Sequence, residues 1–203
     1  MLRLDHLAIS TTDLDQGTRE VEAALGLPLA PGGKHPHMAT HNRLLGLGDV
    51  YLEVIAPDPD APAPSWPRWF DLDNARGPAR LTNWICACDD LDAAVARAPA
   101  GVGRPIDLHR GDLRWRFAVP ASGKLPFEEC HPALIQWLGT GHPAQRLPDQ
   151  GARLARLIVT HPDAQGLRAA LSALSDPRIV LEEGETPSLR AEILTPKGIR
   201  VLA

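Results

Sequence analysis

Hydrophobic and polar residues along this chain change period in an order that repeats. Leu2 to Ser10 alternates, Leu4, His6 and Ala8 against Asp5, Leu7 and Ile9, which predicts a half-buried strand. Thr11 or Thr12 then caps a helix beginning near Asp13, with Asp13 and Asp15 in the first turn, where the helix dipole favours negative charge. Leu14, Thr18, Val21 and Leu25 recur at helical spacing, and Gly26 ends the run. Pro28 to Gly33 is turn-rich. Arg43 to Leu47 and Val50 to Ala56 are apolar runs joined by Gly48-Asp49, the signature of a hairpin. The first segment thus reads strand, helix, then two or three strands.

That order comes back twice. Arg80 to Cys88 predicts a strand, and Asp89-Asp90-Leu91-Asp92 opens a helix running to about Arg97. Bringing Leu14-Asp15 onto Leu91-Asp92 also brings His6 onto Asn83. Leu113 to Pro120 and Ala133 to Leu138 supply later strands, with Pro126 to His131 an excursion between them. A fainter copy starts at Arg153 to His161, where Pro162-Asp163 opens a helix carrying Leu167, Ala170, Leu171 and Leu174. Strands near 179–182, 189–194 and 199–202 complete it. One such unit cannot bury its sheet face alone, so neighbouring units must cover one another.

Five prolines between Pro57 and Pro67 make 57–79 a linker, in which Trp66, Trp69, Phe70 and Leu72 form a short turn that packs back as an anchor. Residues 139–152 are a second linker. The expected organisation is a domain over 1–138, made of units 1–57 and 80–138, with a third unit over 153–203 packed on it.

Composition narrows the function classes. A 44% hydrophobic and 23% charged chain is ordinary globular material, and a net charge of −4 offers no basic field for nucleic acid or an anionic membrane. No window approaches the length of a membrane span, and the first residues lack the pattern of a signal peptide. Three cysteines make no disulfide framework, so a reducing cytoplasm is expected. Arginine-, alanine- and proline-rich usage points to a bacterial source.

Among polar residues, Glu53 stands out. It sits mid-strand between Leu52 and Val54, where a carboxylate is expensive to bury without a positive partner. On the residues alone, His6 is a core histidine hydrogen-bonded to Glu53. His41 begins a strand and lies at the rim of any pocket there, whereas His35 and His37 flank Pro36 in a loop and read as lid or surface. Arg114 and Arg116 share one strand face opposite Leu113, Trp115 and Phe117; inside a pocket they would grip an anion, and outside it they are ordinary exposed arginines. Cys86 and Cys88 read as apolar fillers. No Gly-rich phosphate loop, Gly-x-Ser-x-Gly elbow or HExxH is present.

LDHLAISTTDLD, GGKHPHMATHNRLLGLGDVYLEVIAPDPD, LRWRFAVP and ALIQWL resemble the bacterial glyoxalase-like domain proteins of the vicinal oxygen chelate superfamily. The resemblance implies an α+β fold in which paired βαβββ modules form a cupped mixed sheet with helices on its outer face. It implies a divalent metal (Zn, Fe, Mn, Ni or Co) on the concave face, held by a His on the first strand and a Glu on the last strand of each module. His6 and Glu53 occupy those places in the first module; Asn83 and Gln136 occupy them in the second, where neutral amides are weak ligands. Completion of the site by His41, water or substrate oxygens, and a site without metal, both stay open.

The expected activity is that of a metal-dependent lyase, isomerase or dioxygenase acting on a small, oxygen-rich metabolite. Glu53 and His41 are then the candidate catalytic groups, Asn83, Arg114, Arg116 and Gln136 the substrate contacts, and a homodimer a possible assembly. The alternative is a metal-free binding protein of the bleomycin-resistance type.

Overall fold

In the computed structural model, which describes Met1–Ala203, every α-helix starts on an aspartate that precedes its first apolar residue. Asp13 accepts the Gln16 N–H at the start of α1 (Leu14–Leu25), and Gly26, at φ 70°, closes it. Asp90 does the same for α2 (Leu91–Arg97) through the Ala93 N–H, and Asp163 for α3 (Ala164–Ala170) through the Gly166 N–H. These short helices depend on capping and on their buried side, since isolated helices of this length are marginal in water.

Strands β1 (Arg3–Ser10), β2 (Ala30–His35), β3 (Thr40–Gly46), β4 (Tyr51–Pro57), β5 (Arg80–Ala87), β6 (Arg104–Arg110), β7 (Leu113–Val119) and β8 (Ala133–Leu138) form one mixed sheet in the order β2-β3-β4-β1-β5-β8-β7-β6. Two βαβββ units therefore meet back to back at the antiparallel pair β1–β5, and in each the first strand runs parallel to the last. The class is α+β. The third unit, β9 (Arg153–His161), α3, β10 (Ile179–Glu183), β11 (Ser188–Thr195) and β12 (Gly198–Leu202), has the same order of elements but a different pairing. Its sheet runs β10-β9-β11-β12, so its first strand pairs in parallel with its second rather than with its last.

Two strands lie where the apolar pattern marked none. Both β2 (APGGKH) and β6 (RPIDLHR) are outer strands of the eight-stranded sheet. An outer strand tolerates proline and carries little alternation because neither face is deeply buried. Gly32 in β2 is required by contact: a Cβ there would fall 2.1 Å from Asn42 Oδ1 and 2.3 Å from the Asn42 carbonyl oxygen.

One departure from regular pairing matters for the chemistry. Leu4 pairs with Cys86 and His6 with Ile85, so Asp5 is an extra residue in β1. A bulge of this kind re-aims side chains, and here neighbouring Asp5 and His6 both come to the concave face. The strict alternation read from Leu4, His6 and Ala8 breaks at this point.

The core is a single apolar cluster running through both sheets, from Leu7, Leu52 and Trp84 to Leu157, Val159 and Ile193. Strand β11 packs on β5, and β12 on α1. The proline-rich segment returns to the body at a 3-10 turn, Trp69–Asn74, burying Trp69, Phe70 and Leu72 while Trp66 stays 43% exposed.

Trp84 is fully buried and donates its indole N–H to the Cys130 carbonyl at 2.9 Å. Trp84→Ala is expected to lower stability by about 3–5 kcal/mol. Because the core is continuous, urea unfolding followed by far-ultraviolet circular dichroism and by tryptophan fluorescence should give one coincident transition. Two separated transitions would mean that the third unit folds on its own.

Candidate active site

The concave face narrows to a cavity of about 30 Å³. His6 reaches it from the β1 bulge, with Asp5 behind it, Tyr51 and Glu53 reach it from β4, and Asn42 from β3. His35 enters from the end of β2 and Arg110 from the end of β6. The aromatic rings of Trp115, Phe117 and Trp137 form the far wall, and Trp69 and Phe70 lie over it.

His6 is the centre of this arrangement. Its Nδ1 lies 2.6 Å from Asp5 Oδ1, its Nε2 lies 3.6 Å from Glu53 Oε2, and its ring stacks on Tyr51 at 4.3 Å. Asp5 Oδ2 accepts the Trp137 indole N–H at 2.8 Å and stands 3.0 Å from His142 Nε2, so this carboxylate ties the first unit to the second. Glu53 Oε1 accepts a short hydrogen bond from the Asn42 amide. Asn42 cannot turn round, because its Oδ1 already accepts the Gly33 N–H at 2.7 Å.

Asp5, His6 and Glu53 are 3%, 4% and 6% exposed, so desolvation opposes charge on all three. The carboxylates nonetheless outweigh burial at His6 and raise its pKa to about 9. In return the imidazolium, helped by Asn42, overcomes burial at Glu53 and holds its pKa at about 2. Asp5 is pushed well below the usual carboxylate range by His142 and His6. His35 goes the other way: burial lowers its pKa to about 4. Arg110 donates to His35 Nε2 at 3.1 Å, which leaves Nδ1 to donate to Thr40 Oγ1 and fixes the neutral tautomer.

Of the residues singled out from sequence, His6 and Glu53 come together here and the others do not. Asn83 pairs with Ala8 on the same face as His6 but lies outside the cavity, its amide donating to Glu129 at 2.8 Å and its Oδ1 buried without a partner. Gln136 is turned to the outer face, where it accepts the Leu91 N–H and donates to the Asp89 carbonyl at the start of α2. Arg116 is held on that same side by Asp92 and Asp107, and Arg114 is exposed. The substrate contacts expected of Gln136, Arg114 and Arg116 are thereby corrected: the apolar face of β7, with Trp115 and Phe117, lines the cup and sends the arginines outward. His41 is corrected as well, since its buried neighbours Thr40 and Asn42 take the inner side of β3 and it lines no part of the cavity.

Sequence reasoning passed over Asp5, Asn42 and Arg110, and it read as lid or surface His35, which is buried in the cavity wall. A signal for Arg110 was present in the Arg110-Gly111-Asp112 turn ahead of the Leu113 strand, with Ile106, Leu108 and Arg110 alternating before it.

The donor set decides how well a metal fits. Structural and catalytic transition-metal centres take three or four protein ligands. Here two atoms face a common point, His6 Nε2 and Glu53 Oε2; Glu53 Oε1 is taken by Asn42, and Asp5 is taken by Nδ1 of His6. The second unit faces them with Ile135 and Trp137, and no group of three or more His, Cys, Asp or Glu side chains is arranged to hold a metal ion. These residues do not fit the resident Zn, Fe, Mn, Ni or Co centre that the resemblance implied.

The shifted groups make stability depend on pH in a defined direction. His6 binds its proton more tightly when folded, at about 9 against 6.5 in the open chain, so its contribution is complete below about pH 6.5 and lost as pH rises towards 9. Glu53, at about 2 against 4.5, contributes fully above pH 4.5 and loses its contribution as pH falls towards 2. Thermal melts are therefore expected to show falling stability between pH 6.5 and 9, with a clearly flatter slope in His6→Gln. An equal slope in the variant would show that His6 is not the titrating group.

No curated protein matches the chain. Among solved structures, a hypothetical protein from Staphylococcus aureus superposes with a TM-score of 0.61 at 14% identity, over 93% of this chain and 88% of that one. Methylmalonyl-CoA epimerase from Mycobacterium tuberculosis gives a TM-score of 0.45 at 18% identity, over 68% of this chain and 88% of that one. At such identity the first shows the fold alone. A family profile described as "Glyoxalase-like domain" matches residues 4–175, from β1 through α3, and so takes in both units of the cup. The chain belongs to that glyoxalase-like domain family, within the vicinal oxygen chelate superfamily.

Proposed function

We propose that this protein is an isomerase or lyase that moves a proton on a small metabolite carrying a carbonyl group and an anionic group. The observation that carries the reading is the buried Asp5–His6–Glu53 set, whose environment separates an acid of pKa about 9 from a carboxylate of pKa about 2. Titratable neighbours pushed apart in this way divide naturally into an acid and a base.

At neutral pH His6 carries its proton and Glu53 does not. Glu53 Oε2 removes a proton from the carbon beside the carbonyl. The C–H electron pair becomes the C=C bond of an enol, and the carbonyl oxygen takes the proton from His6 Nε2. For an isomer, Glu53 gives its proton to a carbon conjugated with the enol while the enol O–H proton returns to His6 Nε2. For a lyase product, the O–H proton returns to His6 Nε2 as the carbonyl re-forms, the C=C bond shifts outward, and the leaving group departs with the electron pair of its bond and takes the proton held by Glu53. Asp5 holds the ring orientation through Nδ1. A carbonyl that draws the imidazolium away from Glu53 also removes the main cause of its low pKa, and so strengthens the base when substrate is present.

Arg110 supports the anionic group. Its guanidinium donates to His35 and Asn42, neither of which is charged with an opposing carboxylate, so its remaining N–H groups are open to a carboxylate of the substrate. Trp69 Nε1, buried in the cavity wall without a partner, offers one more donor. A second reading, sequestration without chemistry, is favoured by the six aromatic rings, Tyr51 among them, that surround the cavity.

The test is proton exchange into small 2-oxo acids in heavy water, followed by NMR. Deuterium should enter at the carbon beside the carbonyl. Glu53→Gln and His6→Gln should each slow this by about 10²–10⁴-fold, whereas Arg110→Met should chiefly raise KM. Treatment with a chelator should leave the rate unchanged. Exchange that survives Glu53→Gln overturns the mechanism; binding without exchange establishes sequestration; loss of exchange on chelation would show that a metal is needed.

A further inference from the structure

Outside the cup, the largest unassigned apolar space is a cavity of about 310 Å³ between α2 and α3, on the other side of the sheet from His6. Leu134 lines it, while the next residue, Ile135, lines the cup, so β8 separates the two. The size is that of pockets that take small organic molecules, and most of the lining is apolar, including Leu2, Cys88, Ala94 and Leu134.

One buried polar side chain serves this space. His131 is 1% exposed and lies in the cavity wall. Its Nδ1 is 2.8 Å from the Pro132 carbonyl oxygen, which only accepts, so Nδ1 carries the hydrogen. Burial lowers the pKa of the ring to about 4, so the ring is neutral and Nε2 is a lone-pair acceptor. No protein group donates to that Nε2.

The remaining polar groups make the interior neutral. Burial pushes the Cys88 thiol up to about 11, and its Sγ contacts the Ile135 carbonyl. Asp89 is engaged by Arg3 at 2.7 Å, Asp90 caps α2 through the Ala93 N–H, and the two cationic lining residues, Arg97 and the N-terminal Met1, are exposed at the mouth. Charge is thus confined to the rim. An ionised occupant would lose its hydration with nothing inside to replace it, whereas a neutral one with a single donor meets a matching acceptor.

We propose that this cavity is a second small-molecule site, taking a neutral, mainly apolar molecule with one hydroxyl or N–H group that donates to His131 Nε2. Phenol and toluene, alike in shape and differing in that donor, are the probes. In titrations followed by amide NMR, phenol should shift Cys88, Ala94, Leu134 and Ala169 saturably and bind about 2–10-fold more tightly than toluene, the range of one hydrogen bond. Ala169→Phe, at an exposed position on α3, should fill the cavity and weaken phenol at least about tenfold. His131→Phe should erase the preference for phenol over toluene. The proposal is overturned if phenol gives no saturable shifts, if phenol and toluene bind equally to the unmodified protein, if Ala169→Phe leaves binding intact, or if the shifts centre on Trp115 and Trp137 of the cup.

Discussion

Three ionised side chains, Asp5, His6 and Glu53, are taken out of water within one cluster, and much of the surrounding structure exists to make that tolerable. An unpaired charge buried to this degree costs several kcal/mol, so each needs an opposite charge and filled hydrogen bonds. The β1 bulge is what brings Asp5 to the same face as His6. Trp137 of the second unit and His142 of the segment that follows it complete Asp5, and Asn42, locked by the Gly33 N–H, completes Glu53 from the first. Gly32 is bare because any side chain would strike Asn42. Removing one member would leave its neighbours charged and unpaired, so the cluster holds the two halves of the sheet in a fixed relation as well as offering an acid and a base.

The two halves are alike in backbone and unlike in content. Both are βαβββ units with an aspartate-capped helix and a parallel first and last strand, yet the first supplies the titratable groups and the second supplies rings. Trp115, Phe117 and Trp137 form the wall that faces His6 and Glu53. Low polarity on that side strengthens every electrostatic contact on the other. Arg110, the second unit's one cation in the cavity wall, comes from an outer strand at the rim. The third unit lies off this axis, with its own pairing order, and its contribution is to cover the sheet behind β5 and to form a wall of the cavity under α2.

Much of the fold was legible in the residues because its signals are local. The aspartates before Leu14, Leu91 and Ala164, the Gly26 stop and the alternation of β1, β4 and β5 arise from capping and periodicity within a few positions. The pairing of His6 with Glu53 was legible too, since a carboxylate in the middle of an apolar strand demands a partner. Outer strands β2 and β6 were not, because a strand with little burial on either face has little alternation to read; His35 therefore read as a loop residue and Arg110 went unseen.

The sequence by itself determined the order of elements, the repetition of the βα unit and the presence of one buried histidine–carboxylate pair. Tertiary structure decided which face each strand turns inward. A period of two is the same whichever face is buried, and one extra residue reverses every side chain beyond it. The bulge at Asp5 and the inward turn of Trp115 rather than Arg116 are both choices of that kind. They are set by pairing between strands far apart in the chain, which no local pattern encodes.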